Sequence, residues 1–92
     1  MDQRAFEAEL IAVGYTQIET KAIEPRPTNS EHKHDYGTRG IVLDGAFIVT
    51  QGRKPTTYLP GEIFAVPEGR SHTEEIGPQG ARSLFGRKYA TP

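Results

Sequence analysis

The spacing of apolar residues changes early in this 92-residue chain. Near the start, Phe6, Leu10 and Val13 recur at helical spacing and form one apolar stripe, which predicts a helix over about 3–13. Asp2 stands where the residue that caps a helix N-terminus is expected. The pattern therefore predicts one short N-terminal α-helix that covers a sheet or a subunit contact.

From there on, short segments rich in alternating or β-branched residues are separated by turn signals, which predicts strands over about 16–89. The dipeptide Asp44-Gly45 predicts a tight turn that joins strands 41–43 and 47–49 in a hairpin. A further turn is expected at 78–80. Many short strands with regular turns indicate a β-sandwich or a barrel.

Composition removes several classes of function. The chain has no cysteine, so disulfides, thiolate chemistry and iron–sulfur ligation are excluded. Eleven basic residues face 12 acidic ones, a balance that offers no basic field for a nucleic-acid backbone. The N-terminus has early acidic residues and no apolar core segment, so neither a signal peptide nor a membrane span is expected. A cytoplasmic location is the default expectation.

The three histidines are the strongest chemical signal. His32 and His34 are separated by one residue within 31–35, which we predict to be a strand. Alternate residues of a strand point to the same side, so both imidazoles can face a common point. His72, on a neighbouring strand, would complete a three-nitrogen metal site.

The residues around the histidines resemble the two motifs of the cupin family. They are His32, His34, Thr38 and Gly45 in the first motif, and Gly61, Pro67, Gly69 and His72 in the second. Matching spacings in two separate blocks are more specific than an isolated histidine pair. The resemblance implies a small single-domain cupin of the cupin 2 type over 1–92. Its fold is expected to be an all-β double-stranded β-helix, or jelly-roll barrel, with one short N-terminal α-helix. Cupins of this kind commonly form homodimers.

The resemblance also implies that His32, His34 and His72 are the ligands of a divalent transition metal. Zinc, iron, nickel, copper and manganese all remain open. The carboxylate that joins the histidines in most metal-binding cupins falls on Thr38, which is neutral and a weak ligand. Three neutral imidazoles leave the ion its full charge and at least one open position, as in catalytic zinc sites.

Water, Glu74 and Tyr36, in that order, are the candidates for the open position. Glu74 has the strand parity of His72 and can point inward. The same two side chains are the candidate catalytic groups. The substrate-pocket candidates are Thr38, Arg39 and Phe64. If Arg39 faces the cavity it attracts an anionic substrate, whereas a solvated strand charge is the commoner role. The side chains expected inside the barrel are Ile48, Phe64, Val66 and Phe85.

Three functional classes stay open at this stage. The first is a small metalloenzyme of the oxygenase or isomerase type that acts on a small organic molecule. The second is a metal-binding or small-molecule-binding sensor without turnover. The third is a structural barrel that has lost its metal. Thr38 and Ile76, which stand where the family usually has a glutamate and an asparagine, favour this class. A small-molecule ligand is the expected partner, with neither nucleic acid nor membrane.

Overall fold

Within residues 2–90, which the computed structural model describes, one helix precedes five strands. The elements are α1 (Gln3–Ala12), β1 (Thr16–Ile23), β2 (Tyr36–Gln51), β3 (Lys54–Tyr58), β4 (Ile63–Val66) and β5 (His72–Tyr89). The prediction of an all-β fold with one short N-terminal helix is confirmed. In this part of the chain, no helix has the length and apolarity needed to cross a membrane.

Helix α1 is fixed at its start and on one face. The Asp2 carboxylate accepts a hydrogen bond from the Ala5 backbone N–H (2.8 Å), which satisfies a donor that has no partner within the helix. Phe6 and Leu10, about one turn apart, are fully buried. Val13, predicted on the same stripe, is 46% exposed because the helix has ended before it. Two residues therefore anchor the helix, and the expectation for Val13 is wrong.

The long strands β2 and β5 pair with each other antiparallel and form the centre of the sheet. Strands β1 and β4 flank one half of this ribbon, and β3 flanks the other half. Residues 26–32 extend the second half, through β-bridges from Arg26 to Ile76 and from His32 to His72. Two half-sheets thus share the same two strands, as a double-stranded β-helix requires.

The hairpin predicted at Asp44-Gly45 is wrong, because β2 runs through this dipeptide without reversing. Register shifts on both sides of Gly45 mark bulges at which the strand bends. The predicted turn at 78–80 also lies inside a continuous strand, β5. Gly45 and Gly80 both have φ of +77°, and a Cβ on Gly45 would lie 1.9 Å from the Gly80 carbonyl oxygen. The two glycines form a corner at which both strands bend together.

The sheet has an apolar cluster on each side. The inner cluster consists of Val42, Phe47, Val49, Phe64, Val66, Ile76 and Ala81, with Phe85 packed against it. The outer cluster consists of Phe6, Leu10, Ile41 and Leu84. Ile48, predicted inside, is only half-buried and belongs to neither cluster, whereas its two neighbours are buried in the inner one. The bulges at the corner shift the alternation by one residue, which explains this error.

Candidate metal centre

The segment that carries the first two histidines is not the strand predicted for 31–35. His32 and His72 instead form an isolated antiparallel bridge, in which each backbone N–H donates to the other's carbonyl at 3.0 and 2.9 Å. The His34 carbonyl accepts a hydrogen bond from the Gly69 N–H (2.9 Å). Backbone contacts thus place all three histidines against the start of β5 without a regular strand.

The three imidazoles converge as the sequence spacing suggested. Each offers a nitrogen that lies within 4.8 Å of the other two. The ring centroids of His32 and His72 are 4.3 Å apart, and those of His34 and His72 are 5.5 Å apart. His72 is only 2% exposed, whereas the other two are partly accessible. The cluster therefore has one deeply buried member and two that border open space.

Hydrogen bonds fix the tautomers of two of these rings. The Nδ1 of His32 lies 2.9 Å from the Ser30 carbonyl oxygen, and the Nδ1 of His72 lies 3.0 Å from the Arg70 carbonyl oxygen. A carbonyl only accepts, so in both rings Nδ1 carries the proton and donates it. In the neutral ring each Nε2 then keeps its lone pair, and this is the form that coordinates a metal.

His34 is held by its neighbours and favours the neutral state. Its ring stacks on that of Tyr36, with centroids 4.7 Å apart and planes 18° from parallel. Burial lowers the pKa of His34 below its usual 6.5, and the neighbouring His32 and His72 lower it further, while Glu74 opposes them. Because only neutral imidazole binds metal, these effects prepare His34 for coordination.

Glu74 lies beside the cluster. One carboxylate oxygen, Oε2, is 3.6 Å from Nε2 of His72, and the other, Oε1, is 3.9 Å from Nε2 of His32. Oε1 is also 3.6 Å from a guanidinium nitrogen of Arg26. The backbone of Glu74 is fixed by Asn29, whose side-chain oxygen accepts the Glu74 N–H (2.8 Å). The carboxylate therefore stands between the imidazoles and a cation.

A cavity of about 210 Å³ opens next to the histidines, on the inner face of the sheet. Its wall combines polar groups, aromatic rings and cationic side chains with aliphatic ones. The lining residues are Lys21, Ile23, Arg26, His34, Tyr36, Thr38, Phe47, Phe64, Val66, His72, Glu74, Ala81, Ser83, Phe85 and Arg87. Of the candidates from sequence, Thr38, Phe64, Glu74 and Tyr36 all lie on this wall.

Arg39, the remaining pocket candidate, does not line the cavity. Its guanidinium forms an ion pair with Glu9 of α1 and lies 5.1 Å from the centre of the Phe6 ring. Thr38 faces the cavity, so strand alternation sends the next residue to the opposite face. The hypothesis that Arg39 attracts substrate is therefore wrong. Its charge instead pairs with Glu9 of the helix.

The cations that do line the cavity were not among the pocket candidates predicted from the sequence. Arg87 lies over the Tyr36 ring, 4.5 Å from its centre, and Lys21 and Arg26 lie on the same wall. Arg87 shares strand parity with Phe85, which was predicted to face inward, and that signal could have placed it. Arg26 lies outside the named strands and gives no such signal, because only the bridge to β5 positions it.

The donor set fits a divalent transition metal. Imidazole nitrogens suit zinc, copper, iron and nickel, and three histidines with an open position occur in catalytic zinc sites. In a tetrahedral site with bonds of about 2.1 Å, ligand atoms lie about 3.4 Å apart. The nitrogens already lie within 4.8 Å of one another and would approach that spacing when an ion binds. His32, His34 and His72 are the residues that would hold the ion.

Comparison with known proteins gives matches in structure alone, since no protein-family profile and no curated protein matches this sequence. A conserved protein of unknown function from Streptococcus pyogenes superposes with a TM-score of 0.70 and 13% identity. That match covers 82% of this chain and 65% of the other. A predicted oxalate decarboxylase from Thermotoga maritima superposes with a TM-score of 0.69 and 18% identity, and the match covers 89% of this chain and 73% of the other.

An RmlC-like cupin from Shewanella frigidimarina gives a TM-score of 0.64 and 20% identity, over 77% of this chain and 63% of that one. The chain thus spans less than two thirds of the length of the Streptococcus and Shewanella proteins. At these identities the likeness concerns architecture, and it agrees with the strand pairing described above. The predicted resemblance is confirmed at that level: this chain has the cupin fold.

Proposed function

We propose that this protein binds one divalent transition metal through His32, His34 and His72, and acts as a small metalloenzyme on an organic molecule held in the adjoining cavity. The observation that carries the proposal is the convergence of three imidazoles, two of which have Nε2 free by virtue of a hydrogen-bonded Nδ1.

A bound ion would supply Lewis acidity, polarising a substrate oxygen or a water molecule. The protein's own groups would then position the substrate and move protons. Tyr36 lines the cavity beside the histidine cluster and is available for proton transfer, while Glu74 lies on the same wall within 3.9 Å of two of the imidazoles. Phe47, Phe64 and Phe85 form an apolar wall that keeps water from one side of the substrate. Oxygenase and isomerase chemistry are both compatible with this set.

The charges of the cavity favour a small organic anion as the ligand. Lys21, Arg26 and Arg87 line it against the single carboxylate of Glu74, and a metal ion would add further positive charge. The Nε of Arg26 is buried and has no hydrogen-bond partner among the described residues, so a ligand oxygen would satisfy it. At about 210 Å³, the cavity is below the range of about 300–1,000 Å³ typical for drug-sized ligands.

Metal analysis of protein purified without a histidine tag tests this proposal. After incubation with zinc and extensive dialysis, we expect close to one zinc per chain in the native protein and loss of it in His34→Ala. Lys33→Ala is the matched control, because it alters the exposed residue between the two ligands. Equal zinc contents in the native protein and His34→Ala would refute the three-histidine site, and equal contents near zero would favour a metal-free barrel.

A further inference from the structure

We infer that Glu74 is the fourth protein ligand of the metal, replacing the carboxylate that Thr38 does not supply. This inference rests on the proposed three-histidine site and deepens it. The expectation from sequence ranked water first for this position. The geometry around Glu74 favours the carboxylate instead, and it does so through distance, charge and support from neighbouring groups.

The distances already approach those of a coordinated carboxylate. Glu74 Oε2 is 3.6 Å from Nε2 of His72, and Oε1 is 3.9 Å from Nε2 of His32. Ligands about 2.1 Å from an ion and at neighbouring positions lie about 3.4 Å apart in a tetrahedral set and about 3.0 Å apart in an octahedral set, which has further positions for substrate or water. Each oxygen therefore lies within about 1 Å of ligand spacing from one imidazole nitrogen, Oε2 from that of His72 and Oε1 from that of His32.

Charge points in the same direction. Thr38 lines the same cavity but is neutral, so the three-histidine set alone leaves a divalent ion with both charges uncompensated in a partly buried site. Glu74 is the single acidic residue on the cavity wall. The site would thus keep one carboxylate ligand. It would come from Glu74, two residues after His72, instead of from the position of Thr38, four residues after His34.

Arg26 and Asn29 support Glu74, as groups outside the ligand set normally support a ligating residue. Arg26 forms an ion pair with Oε1 at 3.6 Å, a distance longer than a hydrogen bond, and this leaves Oε2 for the ion. Asn29 fixes the backbone on both sides of the residue: its side chain accepts the Glu74 N–H, and its own N–H donates to the Glu74 carbonyl (3.0 Å). Arg26 and Asn29 are positioning residues in this arrangement.

Zinc affinity, measured by competition with a chromophoric chelator, tests the inference. Loss of a supporting residue outside the ligand set typically weakens metal binding about 10–100-fold, so loss of a true ligand should cost at least about tenfold. We expect Glu74→Gln to show at least that loss. Glu75→Gln is the matched control, because its carboxylate accepts a hydrogen bond from Thr28 and does not line the cavity.

A second variant separates coordination from folding. Thr38→Glu in the Glu74→Gln background returns a carboxylate to the cavity wall, and we expect it to recover zinc affinity. Cobalt(II) spectra should differ between the native protein and Glu74→Gln, since they report the ligand set. Unchanged zinc affinity and cobalt spectrum in Glu74→Gln, with binding still lost in His34→Ala, would overturn this inference alone. Absence of zinc binding in the native protein would overturn the three-histidine site as well.

Discussion

The two faces of the sheet differ in the chemistry of the side chains that they bury. On the outer face, α1 covers Ile41 and Leu84 with Phe6 and Leu10, and all four are at most 2% exposed. On the inner face, the apolar cluster ends at a cavity whose wall carries histidines, cations and a carboxylate. The outer face is thus closed by packing, whereas the inner face leaves polar groups beside open space.

This difference separates stability from chemistry. Ile41 and Val42 are adjacent in β2, yet the first packs beneath the helix and the second packs in the inner cluster. Burying apolar side chains stabilises the fold, while burying imidazoles and guanidinium groups has a desolvation cost. Both apolar clusters therefore stabilise the fold, and their burial offsets the cost of keeping a polar site beside the inner one.

Truncation of Leu10 should give the largest effect on stability. Leu10→Ala removes a fully buried side chain from the helix and leaves a void, which typically costs about 2–5 kcal/mol in the free energy of unfolding. Urea denaturation of the metal-free protein measures this. Ile11→Ala is the matched control, since Ile11 is 61% exposed and should change the free energy by less than about 0.5 kcal/mol.

The zinc content of the folded Leu10→Ala protein should stay unchanged, because the helix covers the face opposite the histidines. A loss of zinc binding in proportion to the loss of stability would mean that the two faces are coupled, and the separation drawn above would fail.

Local patterns in the sequence predicted what depends on local geometry. Strand and helix periodicity found α1 and the β-rich remainder, and the motif spacing brought His32, His34 and His72 together. Alternation also placed Glu74 and Tyr36 on the cavity wall. Each of these features follows either from the periodicity of residues a few positions apart or from the spacing of residues within the two motifs.

Features set by distant pairing were not predictable in the same way. The Asp44-Gly45 signal is real, since Gly45 has the positive φ that a turn requires. Pairing with β5 along the whole of β2 overrides the reversal and converts it into a corner. Similarly, the segment 26–32 has no strand pattern of its own, and its bonds to β5 determine where Arg26 points.

Lowering the pH should affect the inner face before the outer one. In the unfolded chain His34 titrates near 6.5, whereas folding lowers its pKa. Between the two values the unfolded state binds more protons, so stability of the metal-free protein falls as pH decreases below about 6.5. Urea denaturation from about pH 7.5 to about pH 5 should show a smaller decrease for His34→Gln than for the native protein.

Metal retention should fall over the same range, because protons compete with the ion for the imidazoles. An unchanged zinc content of the native protein at about pH 5 would contradict the assigned role of this histidine. So would an identical pH dependence of the free energy of unfolding in the metal-free His34→Gln and native proteins.

The smallest expected effect is the change in ligand affinity when one of two arginines on opposite faces is replaced. Arg87 lines the cavity, whereas Arg39 pairs with Glu9 beneath the helix. If the ligand is an organic anion, Arg87→Gln should weaken binding of a carboxylate probe such as benzoate by about tenfold, the effect of losing one charge-assisted hydrogen bond. Binding of benzamide, the neutral counterpart, should not change. Chemical shifts in two-dimensional NMR titrations give both affinities.

Arg39→Gln is the control for this comparison, and its signature should be the reverse. Removal of a partly exposed ion pair should lower the free energy of unfolding by less than about 1 kcal/mol and leave benzoate affinity unchanged. Equal weakening of benzoate binding by both variants would show only a general effect of net charge. In that case the cavity would lack a directed anion contact, and the two faces would differ in packing but not in recognition.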